Sequence, residues 1–118
     1  MDLSVTKHGQ VHLLKLRGSL KLGQGVEDLT VAIERLVNEG YSKFVLSIAE
    51  VPMIDSSGIG LLVRAHTSAL KRGGAMKLVQ PSKFAIQTLT LVGVLQLFEV
   101  RPSEEDAIAS FGEAVKTG

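Results

Sequence analysis

Short runs of aliphatic, β-branched and aromatic residues alternate along this chain with stretches whose apolar residues recur every three or four positions. That alternation restricts the fold more than any other feature, because strand–helix–strand repeats close into a largely parallel sheet. Phe44-Val45-Leu46-Ser47-Ile48 is nearly continuous in apolar character, as a central strand covered on both faces should be. Ahead of it, Val26, Leu29, Ile33, Leu36 and Val37 follow helical spacing, with Glu34, Arg35 and Asn38 elsewhere on the wheel and Gly40 as the stop. A second helix is expected from Asp55-Ser56 to about Lys71, ended by Gly73-Gly74. Met76 to Val79 reads as a strand, Pro81-Ser82 opens a helix that Gly93 ends, and Leu97 to Val100 reads as another strand. Pro102-Ser103 opens the last helix, with Ser103 as cap, Glu104, Glu105 and Asp106 in the positive first turn, and a stripe of Ile108, Phe111 and Val115. At the start, Leu3 to Lys7 and Val11 to Arg17 flank a Gly9-Gln10 turn, an antiparallel hairpin, and the glycine-rich stretch from Gly18 to Gly25 is a loop. The order ββαβαβαβα defines an α/β protein.

A length of 118 residues fits one domain over 1–118, and 45% hydrophobic residues supply a core and argue against disorder. The net charge of +1, with basic residues scattered beyond Lys15, Arg17 and Lys21, gives no footprint for direct DNA binding. There is no cysteine, hence no disulfide framework and no thiolate chemistry. MDLSVTKHGQ has no apolar signal core, and no run approaches the ~18 apolar residues of a membrane span. A soluble cytoplasmic domain with no membrane partner and no metal or other cofactor is the expectation.

The chemistry concentrates in Asp55-Ser56-Ser57-Gly58-Ile59-Gly60-Leu61-Leu62, between the central strand and the second helix, where open α/β sheets present their sites. Ser56 or Ser57 falls at the helix cap, with Asp55 beside it. Two glycines in a first turn each cost ~1 kcal/mol against alanine and leave the backbone bare for another protein. On the wheel, Ile59, Leu62, Val63, His66, Ala69 and Leu70 form the face expected against the sheet. Leu61 then projects outward beside Arg64 and Ser68, as a docking side chain would. Taken alone, Asp-Ser-Ser-Gly also reads as an ordinary capped helix start.

This eight-residue segment resembles the signature of bacterial anti-sigma factor antagonists of the STAS-domain family, Asp-Ser-Ser/Thr-Gly-Leu/Ile-Gly before a helix. Leu16-Arg17-Gly18-Ser19-Leu20 resembles the end of that family's second strand, and Phe44 to Ile48 its central strand. Gly73-Gly74 with Met76 to Val79 is similar to its next strand, and Val92-Gly93-Val94 to its Ser/Thr-Gly-Leu helix ending. The resemblance implies the STAS fold: a four- to five-stranded mixed β-sheet with about four helices packed mainly on one side. It implies partner switching, in which the unmodified protein binds an anti-sigma factor that is itself a serine kinase and so frees a sigma factor. Phosphorylation of Ser56 from the kinase's ATP releases the complex, and a metal-dependent serine phosphatase resets it. Asp55, Ser57, Gly58, Gly60, Leu61 and Arg64 would face the partner, with Gly23 and Gln24 from the preceding loop. The chain would be a monomer or weak dimer by itself. It departs from the pattern at Lys21-Leu22-Gly23-Gln24-Gly25, where members often carry an acidic residue and a threonine or histidine.

Three other readings compete. A non-switching STAS subunit of a stressosome-like or lipid-transport ATPase complex stays within the fold, although the transporter version is disfavoured by the absence of a membrane part. A serine hydrolase would need a base and an acid aimed at Ser56 or Ser57, yet Ile54 stands where a nucleophile elbow needs glycine. His66 falls on the buried helix face, and His8 and His12 flank the hairpin turn. A nucleotide-binding module fits poorly, since neither glycine-rich segment matches Gly-x-Gly-x-x-Gly or the Walker pattern.

Overall fold

The structure, a computed structural model, describes residues 1–112. The hairpin forms as its sequence implies: β1 (Asp2–His8) pairs antiparallel with β2 (Val11–Arg17), and Gly9 takes a positive φ of 65° in the turn. There follow α1 (Gln24–Asn38), β3 (Lys43–Glu50), α2 (Ser56–Lys71), β4 (Ala75–Val79), α3 (Lys83–Leu91), β5 (Val100–Arg101) and α4 (Glu104–Ala109). The sheet order is β1-β2-β3-β4-β5, and every pair after the hairpin is parallel.

The period of two along each strand sorts the core into two layers. Leu14 and Leu16 of β2, Phe44, Leu46 and Ile48 of β3, and Met76 and Leu78 of β4 pack under α1, α2 and α3. Val11, Leu13, Val45 and Val79 point the other way, onto Ala107 and Ile108 of α4. Three helices therefore cover one face and the short α4 caps the other, which matches the mixed sheet with helices mainly on one side. Within the first layer His66 is buried, and its Nδ1 accepts a hydrogen bond from the Met76 backbone N–H at 3.1 Å, tying α2 to β4.

Two boundaries differ from the sequence reading. The expected strand Leu97 to Val100 does not form over that span: Leu97 ends a 3-10 turn, Leu95–Leu97, Phe98 and Glu99 are irregular, and only Val100 and Arg101 pair with β4. Leaving α3 through Gly93 at φ 78°, the chain turns tightly to drop Phe98 into the core beside the His66 ring, so little length remains for the ladder. Helix α1 starts at Gln24 rather than near Val26, because Gly23 at φ 111° completes the turn. Gly25 can then lie against the Ser19 carbonyl oxygen, which stands 2.6 Å from where a Cβ would be. Ser103 caps α4 as expected, its hydroxyl accepting from the Asp106 N–H. Phe111 packs partly against the α4 layer, whereas Val115 lies outside the described residues.

Candidate functional site

Two loops at the carboxyl ends of the strands build the site, and backbone hydrogen bonds stitch them together. Leu20, after β2, donates to the Met53 carbonyl at 2.9 Å and accepts from the Asp55 N–H at 3.2 Å, forming an isolated parallel bridge with Ile54. Asp55 is the true cap of α2, not Ser56 or Ser57. One carboxylate oxygen accepts from the Gly58 N–H at 2.9 Å, and the other reaches across to the Leu22 N–H at 2.9 Å. These donors, Leu22 foremost and then Gly58, hold the Asp55 carboxyl below its ordinary value, so it stays ionised at neutral pH. One aspartate thus caps a helix and fixes the neighbouring loop.

With Asp55 as the cap, the first residue of α2 is Ser56, and its side chain is exposed. Ser57 is half-buried. Gly58 is not a bare approach for a partner, which corrects the sequence expectation: it is buried, and a Cβ there would collide with the Leu20 carbonyl oxygen and lie 2.9 Å from Ile54 Cγ2. The glycine exists so that the two loops can touch. Gly60 is different. Its missing side chain leaves room for the Arg64 guanidinium, whose Nη1 sits 3.0 Å from the Cβ position. Arg64 is exposed, and no carboxylate among the described residues pairs with it.

Leu61 overturns the other surface expectation, being only 5% exposed. The outward position expected for Leu61 holds only if the sheet is the sole packing partner of α2. Helix α1 also lies against α2, and Leu61 fills the seam, lining a groove of about 410 Å³ with Ile33, Val37, Ala65 and Arg64. The buried arc of α2 is therefore rotated by roughly 70° from the predicted one, counting 100° per residue. Leu70, expected against the sheet, is correspondingly 55% exposed.

On the adjoining loop, Gly23 stands just ahead of α1 and Gln24 opens it, the Gln24 side chain donating to Asp28 Oδ1 at 2.6 Å. The sequence reading missed two apolar side chains here. Leu22 is 78% exposed although its N–H is held by Asp55, and Met53, exposed as well, flanks the same junction. A leucine inside a glycine-rich loop was the available signal. His66 is occupied by β4, and His12 opens β2, at the end of the parallel strands away from Ser56. No histidine is therefore placed to take a proton from Ser56 or Ser57. No helix among the described residues is long and apolar enough to cross a membrane.

Comparison with known proteins agrees with this architecture. A curated relative from Thermotoga maritima, provisionally named an anti-sigma factor antagonist, is 27% identical over 75 residues, 64% of this chain. The matched stretch spans 66% of that relative's length, just under two thirds. An anti-sigma-factor antagonist (STAS) domain protein from Planctomyces limnophilus superposes with a TM-score of 0.80 at 20% identity, over 96% of this chain and all of that one. The unphosphorylated form of the anti-sigma factor antagonist SpoIIAA superposes with a TM-score of 0.79 at 18% identity, over 94% of this chain and 97% of that one. Its phosphorylated form, from Bacillus, gives 0.74 at 20% identity, over 93% and 99%. At such identities the structural likeness speaks to the fold, while the sequence profile of the STAS domain matches residues 2–107. This chain belongs to the STAS domain family.

Proposed function

We propose that this chain is a cytoplasmic anti-sigma factor antagonist, a non-catalytic partner switch thrown by phosphorylation of Ser56. The observation that carries the reading is the division of labour in the loop: Asp55 is consumed by backbone donors, Gly58 by packing, and of the two serines at the helix start Ser56 is the exposed one while Ser57 is half-buried. The names carried by the Thermotoga and Bacillus relatives support it. In the unmodified state Ser56, Ser57, Gly60 and Arg64, with Gly23, Gln24, Leu22 and Met53 across the junction, form the face that meets an anti-sigma factor with serine kinase activity. ATP stays with that partner. Phosphorylation adds about −1.5 to −2 charges next to the ionised Asp55, against a kinase site that already holds nucleotide phosphates. A penalty of only ~3 kcal/mol weakens the complex about a hundredfold, and a metal-dependent serine phosphatase restores the binding form.

The test is phosphate transfer from ATP by the cognate kinase, with the modified residue mapped by mass spectrometry. Phosphate on Ser56, its absence in Ser56→Ala, and at least a hundredfold loss of affinity after modification are expected. Phosphate on Ser57 alone, or unchanged affinity, overturns the switch.

A further inference from the structure

Ser56, Gly60 and Arg64 follow one another at intervals of four along α2, so they form a single row on its surface, each about 6 Å from the next. Helical side chains lean toward the N-terminus, and Gly60 offers nothing to stop Arg64 from lying back along the row. The arginine does so: its Nη1 and Cζ lie 3.0 Å and 4.0 Å from the Cβ position of Gly60, one turn short of Ser56. It has no acidic partner among the described residues. Of the amides of the first helical turn, the usual receiver of an anion at this place, that of Gly58 is already given to the Asp55 carboxylate. Asp55 accepts from the Gly58 N–H and, beyond α2, from Leu22. A phosphate on Ser56 therefore meets the Asp55 carboxylate on one side and, on the other, a guanidinium that lines one groove with Glu34 yet makes no ion pair with it.

We propose that Arg64 is the intramolecular receiver of phosphoserine 56, folding over Gly60 to pair with the phosphate. The inference rests on Ser56 being the modified residue. It gives the switch a second component, because pairing withdraws a cation from the partner-facing row at the moment the anion is added. A guanidinium suits the role, since its planar fork meets two phosphate oxygens at once and a lysine ammonium meets them as a point charge.

The experiment installs phosphoserine at position 56 during translation of the full chain, so no kinase is involved. The second ionisation of the phosphate is then followed by phosphorus NMR. An ordinary phosphoserine has its second pKa near ~6. Pairing with Arg64 should lower it by about half a unit or more, and Arg64→Gln should return it upward, with Arg64→Lys between. Arg72→Gln, at the far end of α2, should leave it unchanged. Identical titrations in the parent and Arg64→Gln proteins overturn the proposal, as does an equal shift from Arg72→Gln. A kinase that ignores Ser56 would instead sink the proposed function and leave this titration intact.

Discussion

Leu61 closes the seam between α1 and α2, so truncating it empties packed space rather than trimming a surface. Leucine-to-alanine changes in cores cost about 2–5 kcal/mol, the lower end where a site can collapse or admit water. Beside an open groove, Leu61→Ala should cost about 2–3 kcal/mol in urea unfolding, and Leu61→Asp more. A change within about 0.5 kcal/mol would return Leu61 to the surface class. Asp55 deserves its position for a different reason. Its two oxygens serve two elements, so Asp55→Ala loosens the cap of α2 and the Leu22 loop together. Ser82 does the same further along: its hydroxyl donates to the Val51 carbonyl at 2.9 Å and accepts from the Ala85 N–H at 3.1 Å. Small polar residues thus join the loops around Ser56.

At the scale of the helix, the two glycines of α2 make opposite predictions. Alanine gains up to ~1 kcal/mol over glycine inside a helix. At Gly60 the added methyl meets only the end of the Arg64 side chain, which can swing away, so Gly60→Ala should raise the melting temperature. At Gly58 it meets the backbone carbonyl of Leu20, which the bridge to Ile54 holds in place, so Gly58→Ala should lower it. Thermal melts of the two variants side by side check the sign, and a stabilised Gly58→Ala would mean that the junction gives way easily. The difference was hidden in the sequence, because a glycine does not say whether its missing side chain makes room for a ligand or for the protein itself. What was legible followed from periodicity and local chemistry: the element order, the central strand Phe44 to Ile48, the buried face of His66, and the Ser103 cap. What was not legible depended on a third body. The orientation of α2 depends on α1 as well as the sheet, and the second role of Asp55, holding the Leu22 N–H while it caps α2, depends on a loop remote in sequence. The short β5 depends on where Phe98 must be buried.

For the whole molecule, the two buried histidines set how stability follows pH. His66 and His12 are both held below the ordinary value of 6.5, chiefly by burial; at His12 the nearby Lys7 charge adds to the effect. Each therefore binds fewer protons folded than unfolded in the window that ends near 6.5. There stability rises with pH, reaches a plateau above about 6.5, and is lost as pH falls below it. Asp55 and Asp106, held below 3.8 by backbone donors and by Arg101 respectively, add a separate loss only at stronger acidity. The histidines differ in what replacing them leaves behind. His66 Nδ1 serves the Met76 N–H, so His66→Phe strands a buried donor and should cost about 1–3 kcal/mol at pH 7.5. His12 Nδ1 has no hydrogen-bond partner among the described residues, and its ring packs edge-on against Tyr41 at 4.4 Å between centroids. His12→Phe keeps that ring contact while removing a desolvated polar atom, so it should be neutral or stabilising at pH 7.5. Both variants should flatten the fall in stability between pH 6.5 and 5, where one histidine contributes at most about 1.4 kcal/mol per pH unit. Urea unfolding of the parent and both variants at pH 7.5, 6 and 5 measures this directly. An unchanged slope in His12→Phe would show that its imidazole is protonated as easily in the folded chain as in the unfolded one.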